Sequence, residues 1–412
     1  MSLKSCALLT ALAILNVVTS FPLPGNDSKD PFAPRPFTPA GGLGTDNSTI
    51  PYYHPLSDFD YQSLLLALNQ EYIELDLFNY GLAKFSAEDF EAAGLNSADR
   101  ELIHFMALQE VGHAELITNM LGESAPERCN YTYPFETVPE FVAFSQQLTR
   151  WGESGVYGFL NHLDSRAAAT LLTNSITTEA RQQFVFRQFQ GLSAMPYDFI
   201  VGVPQSFAWT LLAPYITTCP AKNPTINFQN FPGLQVTNGP GALSNSTGSW
   251  PAISVVNNTL TEPGRRVEFK WENPGLPVGW TPVQDAPNIN YTNAGYYNGS
   301  TVSQFNGSQA LNSNVSTDPL YKTFTFVDGP PKYAAWISQL NTTYTELQDV
   351  NTDENTAWAI QPNATVFPNS NNTIVNGTVF VVLTDEQVPI TPFNITQING
   401  HVVAGPVLYQ AD

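Results

Sequence analysis

The chain has 412 residues, enough for two or three domains and a sizeable core. Its formal net charge of -20, from 36 acidic against 16 basic residues, excludes nucleic acid and anionic membrane surfaces as partners. Only 13% of residues are charged, so Asn, Ser, Thr and attached sugar must keep the surface polar.

Residues 1–20 read as a signal peptide: a basic start at Lys4, an apolar run from Cys6 to Val18, and Val18-Thr19-Ser20 as the cleavage region. A membrane anchor is the alternative, but the run falls short of the roughly 20 apolar residues a span requires, so no transmembrane anchor is expected. Residues 21–55 form a Pro/Gly-rich extended segment containing Pro31-Phe-Ala-Pro-Arg-Pro-Phe-Thr-Pro39. Asn-x-Ser/Thr sequons stand at Asn26, Asn47, Asn130, Asn245, Asn257, Asn290, Asn298, Asn306, Asn314, Asn341, Asn363, Asn371, Asn376 and Asn394. So dense a set predicts a secreted eukaryotic glycoprotein, extracellular or in the cell wall. Once the leader is removed, Cys129 and Cys219 remain. One disulfide is the simplest reading in an oxidising compartment, and two free thiols are the alternative. The last residues, Pro406 to Asp412, carry no hydrophobic tail for a lipid anchor.

From 56 to 222 the pattern is helical. The first helix starts after Ser57 or Asp58 and runs to Lys84, with Leu64, Leu68, Glu71, Leu75 and Phe78 on one stripe. Glu74 lies close to the same side and is the alternative inward acid. A short helix over Ser86–Ala93, stopped by Gly94, leads to a long one starting at Ser97 as N-cap and ending at Gly122. On it Glu110 and His113, three residues apart, share a face with Ile103, Met106, Ala107, Ala114 and Ile117. A third helix begins near Thr137, with Pro139 in its first turn, and extends towards Leu163. It carries Glu153 ahead of Val156, Tyr157 and Leu160, although Arg150 one turn earlier offers Glu153 an ion-pair partner. A fourth runs from about Asp164 to Gln190 and stops at Gly191, with Leu172, Ile176, Glu179 and Phe186 in line and Gln182 one turn beyond Glu179. The apolar stretch Phe199–Thr218, broken by Pro204 and Pro214, predicts one or two short covering helices.

Residues 223–412 change character. Short runs at Val267–Trp271, Thr323–Val327, Thr356–Ile360, Thr378–Leu383 and His401–Ala404, separated by turn residues and sequons, predict a mainly β, glycosylated C-terminal domain, a sandwich or a barrel. The fold class is therefore multidomain α + β, a four-helix bundle followed by the β domain. Trp271, Trp280, Trp336 and Trp358 read as core or turn-packing residues rather than as a sugar-binding platform.

An ionised carboxylate on an apolar stripe must be paired, protonated or bound to a cation, because burying it alone costs several kcal/mol. Here four helices each offer one. Glu-x-x-His turns two ligands onto one helix face, and two such motifs with two further Glu residues build the dinuclear centres of carboxylate four-helix bundles. The set Glu71, Glu110, His113, Glu153, Glu179 and Gln182 resembles that of the ferritin-like superfamily. In detail, Leu68-Asn-Gln-Glu-Tyr-Ile-Glu74, Ala107-Leu-Gln-Glu-Val-Gly-His-Ala114, Gly152-Glu-Ser-Gly-Val-Tyr157, Thr178-Glu-Ala-Arg-Gln-Gln183, Val375-Asn-Gly-Thr-Val-Phe380 and Val403-Ala-Gly-Pro406 resemble secreted fungal stress-response proteins with a ferritin-like domain, relatives of plant desiccation-related proteins. The departure is Gln182, where the pattern expects His, and an amide oxygen is a weak ligand for Fe. His104 is out of phase with His113, and His54, His162 and His401 lie elsewhere. Two readings stay open. One is a stress-associated or cell-surface glycoprotein with a degenerate carboxylate site, no conventional ferritin activity and cell-wall components as partners. The other is an Mn- or Fe-dependent oxidoreductase, oxidase or catalase-like, mononuclear or dinuclear. A storage cage is not expected, because the second domain would obstruct its assembly.

Overall fold

Helix boundaries follow local capping chemistry. The computed structural model describes residues 53–240, 260–283, 319–369 and 371–412. The expected signal peptide, all but the end of the 21–55 segment, and the sequons at Asn26, Asn47, Asn245, Asn257, Asn290, Asn298, Asn306 and Asn314 lie outside them. Helix α1 spans Asp58–Lys84 with Ser57 as its N-cap, and α2, Ala87–Ala92, opens on a capping box between Ser86 and Asp89. Helix α3 is Ser97–Leu121, but its cap is Asn96: that side chain accepts from the Ala98 and Asp99 amides while Asp99 reaches back, so the expected N-cap Ser97 is instead the first helical residue. Helix α4, Val138–Phe159, is boxed by Thr137 and Glu140, and α5, Arg166–Phe189, is capped by Ser165. From Ser63 to Phe78 all sixteen residues of α1 are buried, so it is the central helix of the bundle and its apolar surface is no mere stripe. In the 199–218 stretch one covering helix forms, α6 at Gln205–Leu212, followed by a 3-10 turn; its end, expected to be helical, pairs as a strand because Pro214 stops the helix.

The strands, in order, are β1 Asn130–Tyr131, β2 Ile216–Pro220, β3 Leu234–Val236, β4 Arg266–Trp271, β5 Pro277–Val278, β6 Thr281–Val283, β7 Tyr321–Lys322, β8 Tyr333–Ser338, β9 Asn341–Glu346, β10 Gln348–Asn351, β11 Thr356–Ile360, β12 Thr378–Thr384 and β13 Val402–Gln410. Two four-stranded sheets, ordered β10-β11-β4-β3 and β13-β12-β8-β9, have wholly antiparallel neighbours. Their facing side chains, among them Val267, Phe269, Trp336, Val379, Val381 and Leu383, form one shared core, the sandwich of the two expected forms. Alternation places Ala335, Ile337, Phe380 and Val382 on the opposite face of the second sheet, in the same apolar cluster as Phe78, Phe186 and Phe207 of the helices. The sheet β13-β12-β8-β9 is thus a wall with helices on one side and a sheet on the other, which is why all seven residues of β12 are buried.

Thr323–Val327 is not a strand. The Thr323 and Phe324 amides bond to carbonyls of two different segments, Leu276 and Asn230, so no single ladder extends. Cys129 and Cys219 form a disulfide that ties the loop after α3 to β2. Trp271, Trp280 and Trp336 are buried. Among the described residues, no helix is long and apolar enough to cross a membrane.

Candidate metal centre

The four long helices bring their acids to one buried region. Glu71, Glu74, Glu110, Glu153 and Glu179 are each at most 2% exposed, and His113 is 8% exposed. Ligand atoms of Glu71, Glu110 and His113 lie within 4.8 Å of one another. His113 Nδ1 is 3.0 Å from Glu110 Oε2 and 3.3 Å from Glu71 Oε2. Helix α4 approaches α1 closely here because residue 152 is glycine: a Cβ on it would stand 2.7 Å from both Gln70 Nε2 and Glu74 Oε1.

The protein's own polar groups satisfy the acids unequally. Glu74 Oε1 accepts from Gln70 Nε2 at 2.7 Å and its Oε2 from the Thr149 hydroxyl at 3.3 Å, so both of the two inward acids on α1 are buried but Glu74 is already bonded. Glu153 Oε2 is in a buried ion pair with Arg150, 3.2 Å from Nη1, the partner its sequence neighbourhood offers. Gln182 meets the cluster through its amide nitrogen: Nε2 donates to Glu110 Oε1 at 2.5 Å and to Gln109 Oε1 at 3.3 Å, while its Oε1 is buried with no hydrogen bond. Glu153 Oε1 and Glu179 Oε2 are left buried with no hydrogen bond, and Glu71 Oε2 has none beyond its 3.3 Å ionic approach to His113 Nδ1. His104, half-buried, turns instead to Glu101, 3.2 Å away. His54 bonds the Met120 carbonyl. His401 sits with Asp385 and Glu386 in a separate, partly exposed grouping.

Thr178 was not legible as a site residue. Its hydroxyl donates to the Ser175 carbonyl at 2.7 Å, which leaves its oxygen to accept from His113 Nε2 at 2.9 Å. The ring is thereby fixed with an Nε2–H towards Thr178 and with Nδ1 facing the carboxylates, the orientation a metal ligand needs once Nδ1 has given up its proton. Nothing in Thr-Glu-Ala-Arg announces a bond to a residue 65 positions away.

The electrostatics follow from burial. Burial pushes the Glu71 carboxyl up to about 8 against the pull of His113, with Glu110 adding to the rise. Burial and then neighbouring acids drive Glu74 and Glu179 well above the carboxylate range. Burial would also raise Glu110, but the charge of His113 and hydrogen bonds from His113, Glu71 and Gln182 hold it below its ordinary value. For His113, burial opposes the charged form and is outweighed by Glu110 and Glu71, so it rises to about 11. Without a cation the cluster is therefore a carboxylate–imidazolium pair surrounded by acids that keep their protons.

This arrangement fits a divalent cation. Five buried carboxyls face one imidazole and one guanidinium, and three carboxyl oxygens, on Glu71, Glu153 and Glu179, have no hydrogen bond. Glu71, Glu110 and His113 would hold the ion. Mn or Fe suits mixed carboxylate and imidazole donors.

The profile of the ferritin-like domain matches residues 59–192, which spans α1 to α5. Protein rds1 of Schizosaccharomyces pombe is 49% identical over 390 residues, covering 92% of this chain and 87% of its own length. The helices, their inward acids and this likeness across both halves agree: the chain belongs to a family of fungal ferritin-like proteins that includes protein rds1.

Proposed function

We propose that the protein is a secreted, glycosylated ferritin-like protein of the fungal stress response or cell surface, whose bundle holds a single divalent cation, Mn or Fe, and does not perform the two-metal chemistry of ferritins. The observation that carries this reading is the inequality of the two ends of the site. Glu71, Glu110 and His113 converge within ligand distance, while Glu153 is ion-paired with Arg150 and the Gln182 amide is bonded to Glu110. A second ion would have to displace the Arg150 guanidinium and find a ligand where Gln182 offers only an amide.

A bound Mn or Fe would supply redox and Lewis-acid chemistry. The chain's own part is to exclude water, to present His113 through Nδ1 and to release the protons of Glu71 and of His113 Nδ1 when the ion enters. Metal analysis of protein secreted from a fungal host tests the reading. One equivalent is expected, lost in both Glu110→Ala and His113→Ala. No metal in the wild-type protein would leave a scaffold, and two equivalents would replace the single-ion site with a dinuclear one.

A further inference from the structure

Two exposed phenylalanines form a fixed ring pair on the surface. Phe199 and Phe367 are 37% and 50% exposed, with centroids 5.8 Å apart and planes at 84°. Single exposed apolar side chains are common, but two held in mutual contact by polar staples call for something to cover them. The staples are specific. Gln339 accepts from the Asp198 amide at 3.2 Å and donates to the Thr373 carbonyl at 3.3 Å, and Asn372 Nδ2 donates to Asp198 Oδ2 at 2.6 Å. The loop around 365–373 is thereby fastened to the residue preceding Phe199.

That loop is a narrow hairpin. Thr365 bridges Thr373, and the Val366 amide donates to the Asn372 carbonyl at 3.2 Å. Phe367 and Asn371 therefore flank its tip from opposite arms. Asn371-Asn372-Thr373 is a sequon, and Asn371 is exposed. By contrast, the amides of the sequon residues Asn130 and Asn376 are spent within the fold, on Thr218 at 2.7 Å and on the Pro196 carbonyl.

We propose that Asn371 carries an N-linked glycan whose first N-acetylglucosamine lies with its C–H face against the Phe199–Phe367 pair. The inference rests on the reading of the chain as secreted. In the transfer, Asn371 Nδ2 forms a bond to the sugar C1, the bond from C1 to the pyrophosphate of a lipid-linked oligosaccharide donor breaks, and the amide proton leaves with that pyrophosphate. Phenylalanine faces suit the apolar side of a pyranose, and fixing the sugar there would remove the exposed rings from water.

The test uses the full chain secreted from a yeast host, with glycopeptide mass spectrometry, proton NMR and thermal melting of the wild type, Asn371→Gln, Phe199→Ser/Phe367→Ser and the combined variant. Expected are an occupied Asn371, an upfield-shifted N-acetyl methyl resonance that disappears in the Phe variant, and a Tm loss of roughly 2 °C for Asn371→Gln that is absent in the Phe→Ser background. Occupancy at other sequons with Asn371 bare overturns the seat alone. Equal losses in both backgrounds, or a concentration-dependent dimer that the Phe variant abolishes, also overturn it, the latter in favour of a second copy. A chain bare at every sequon overturns the secreted reading and the seat with it.

Discussion

Raising the pH should destabilise the metal-free protein, and the size of the effect follows from the buried cluster. Glu71 titrates near 8 when folded, against 4.5 for the free side chain. A folded value above the unfolded one means that the native state binds the extra proton between those two points, so stability is complete below about 4.5 and declines as pH rises towards 8. His113, raised from 6.5 to about 11, acts in the same direction: its contribution is complete below 6.5 and fades at higher pH. Each extra native proton gives a slope of about 1.4 kcal/mol per pH unit. Between pH 5 and pH 8 Glu71 alone should remove on the order of 4 kcal/mol, and above pH 6.5 the slope should steepen as His113 joins. Set against a typical total of about 5–15 kcal/mol, that is a large fraction. Chelator-treated protein melted in urea from pH 5 to pH 8 measures it directly. The same series with saturating Mn should be flatter, because the ion replaces the protons and binds more tightly as they leave. Metal-free stability that is constant or rises over this interval would refute the assignment of protonated acids at the site.

Thr178→Val should weaken metal binding by about 10–100-fold, as read by titration calorimetry, and should cost the metal-free protein about 1–3 kcal/mol, because the buried His113 Nε2–H loses its acceptor and the ring its orientation. Gly158→Ala should destabilise by about 3 kcal/mol or more in urea denaturation, because the new Cβ would lie 1.8 Å from the Val203 carbonyl oxygen and its nearest neighbours are all Val203 backbone, which cannot swing away. Arg150→Met should cost roughly 3–5 kcal/mol by leaving Glu153 buried and unpaired, and adding Glu153→Leu should restore most of the loss. Glycopeptide mapping should find Asn341 and Asn363, both exposed, occupied and Asn130 and Asn376 bare.

Much of the helical half could be read from periodicity and caps. Thr137 with Glu140 and Ser86 with Asp89 mark their helices through reciprocal bonds that act within one turn, and Glu110 with His113 declares a polar pair on an apolar face for the same local reason. The burial of α1 on every side was not legible, since which surfaces are covered depends on elements more than a hundred residues away. Strand β8, Tyr-Ala-Ala-Trp-Ile-Ser, shows no polar–apolar alternation because both of its faces are buried, and β9 carries no apolar face because its residues are mostly polar. The hairpin joining them turns at Gln339, whose φ of 51° is unusual for a residue other than glycine. At the site, the acids could be listed in advance, but which of them already has a protein partner could not. That is decided by Arg150, Thr149, Gln70 and Thr178, ordinary polar residues whose roles arise only from the packing.

The sheet that is apolar on both faces has a consequence for how the chain reaches its native state. A ferritin-like bundle of local helical contacts would fold quickly by itself, but here the face formed by Phe78, Phe186 and Phe207 waits for Phe380 and Val382, synthesised more than a hundred and seventy residues later. Until then a helical intermediate must display an oily flank, the kind of surface chaperones bind and aggregates grow from. The same dependence means that the bundle is no detachable module: shuffling it into another gene without its wall would transplant the ligands but leave them in an unfinished protein.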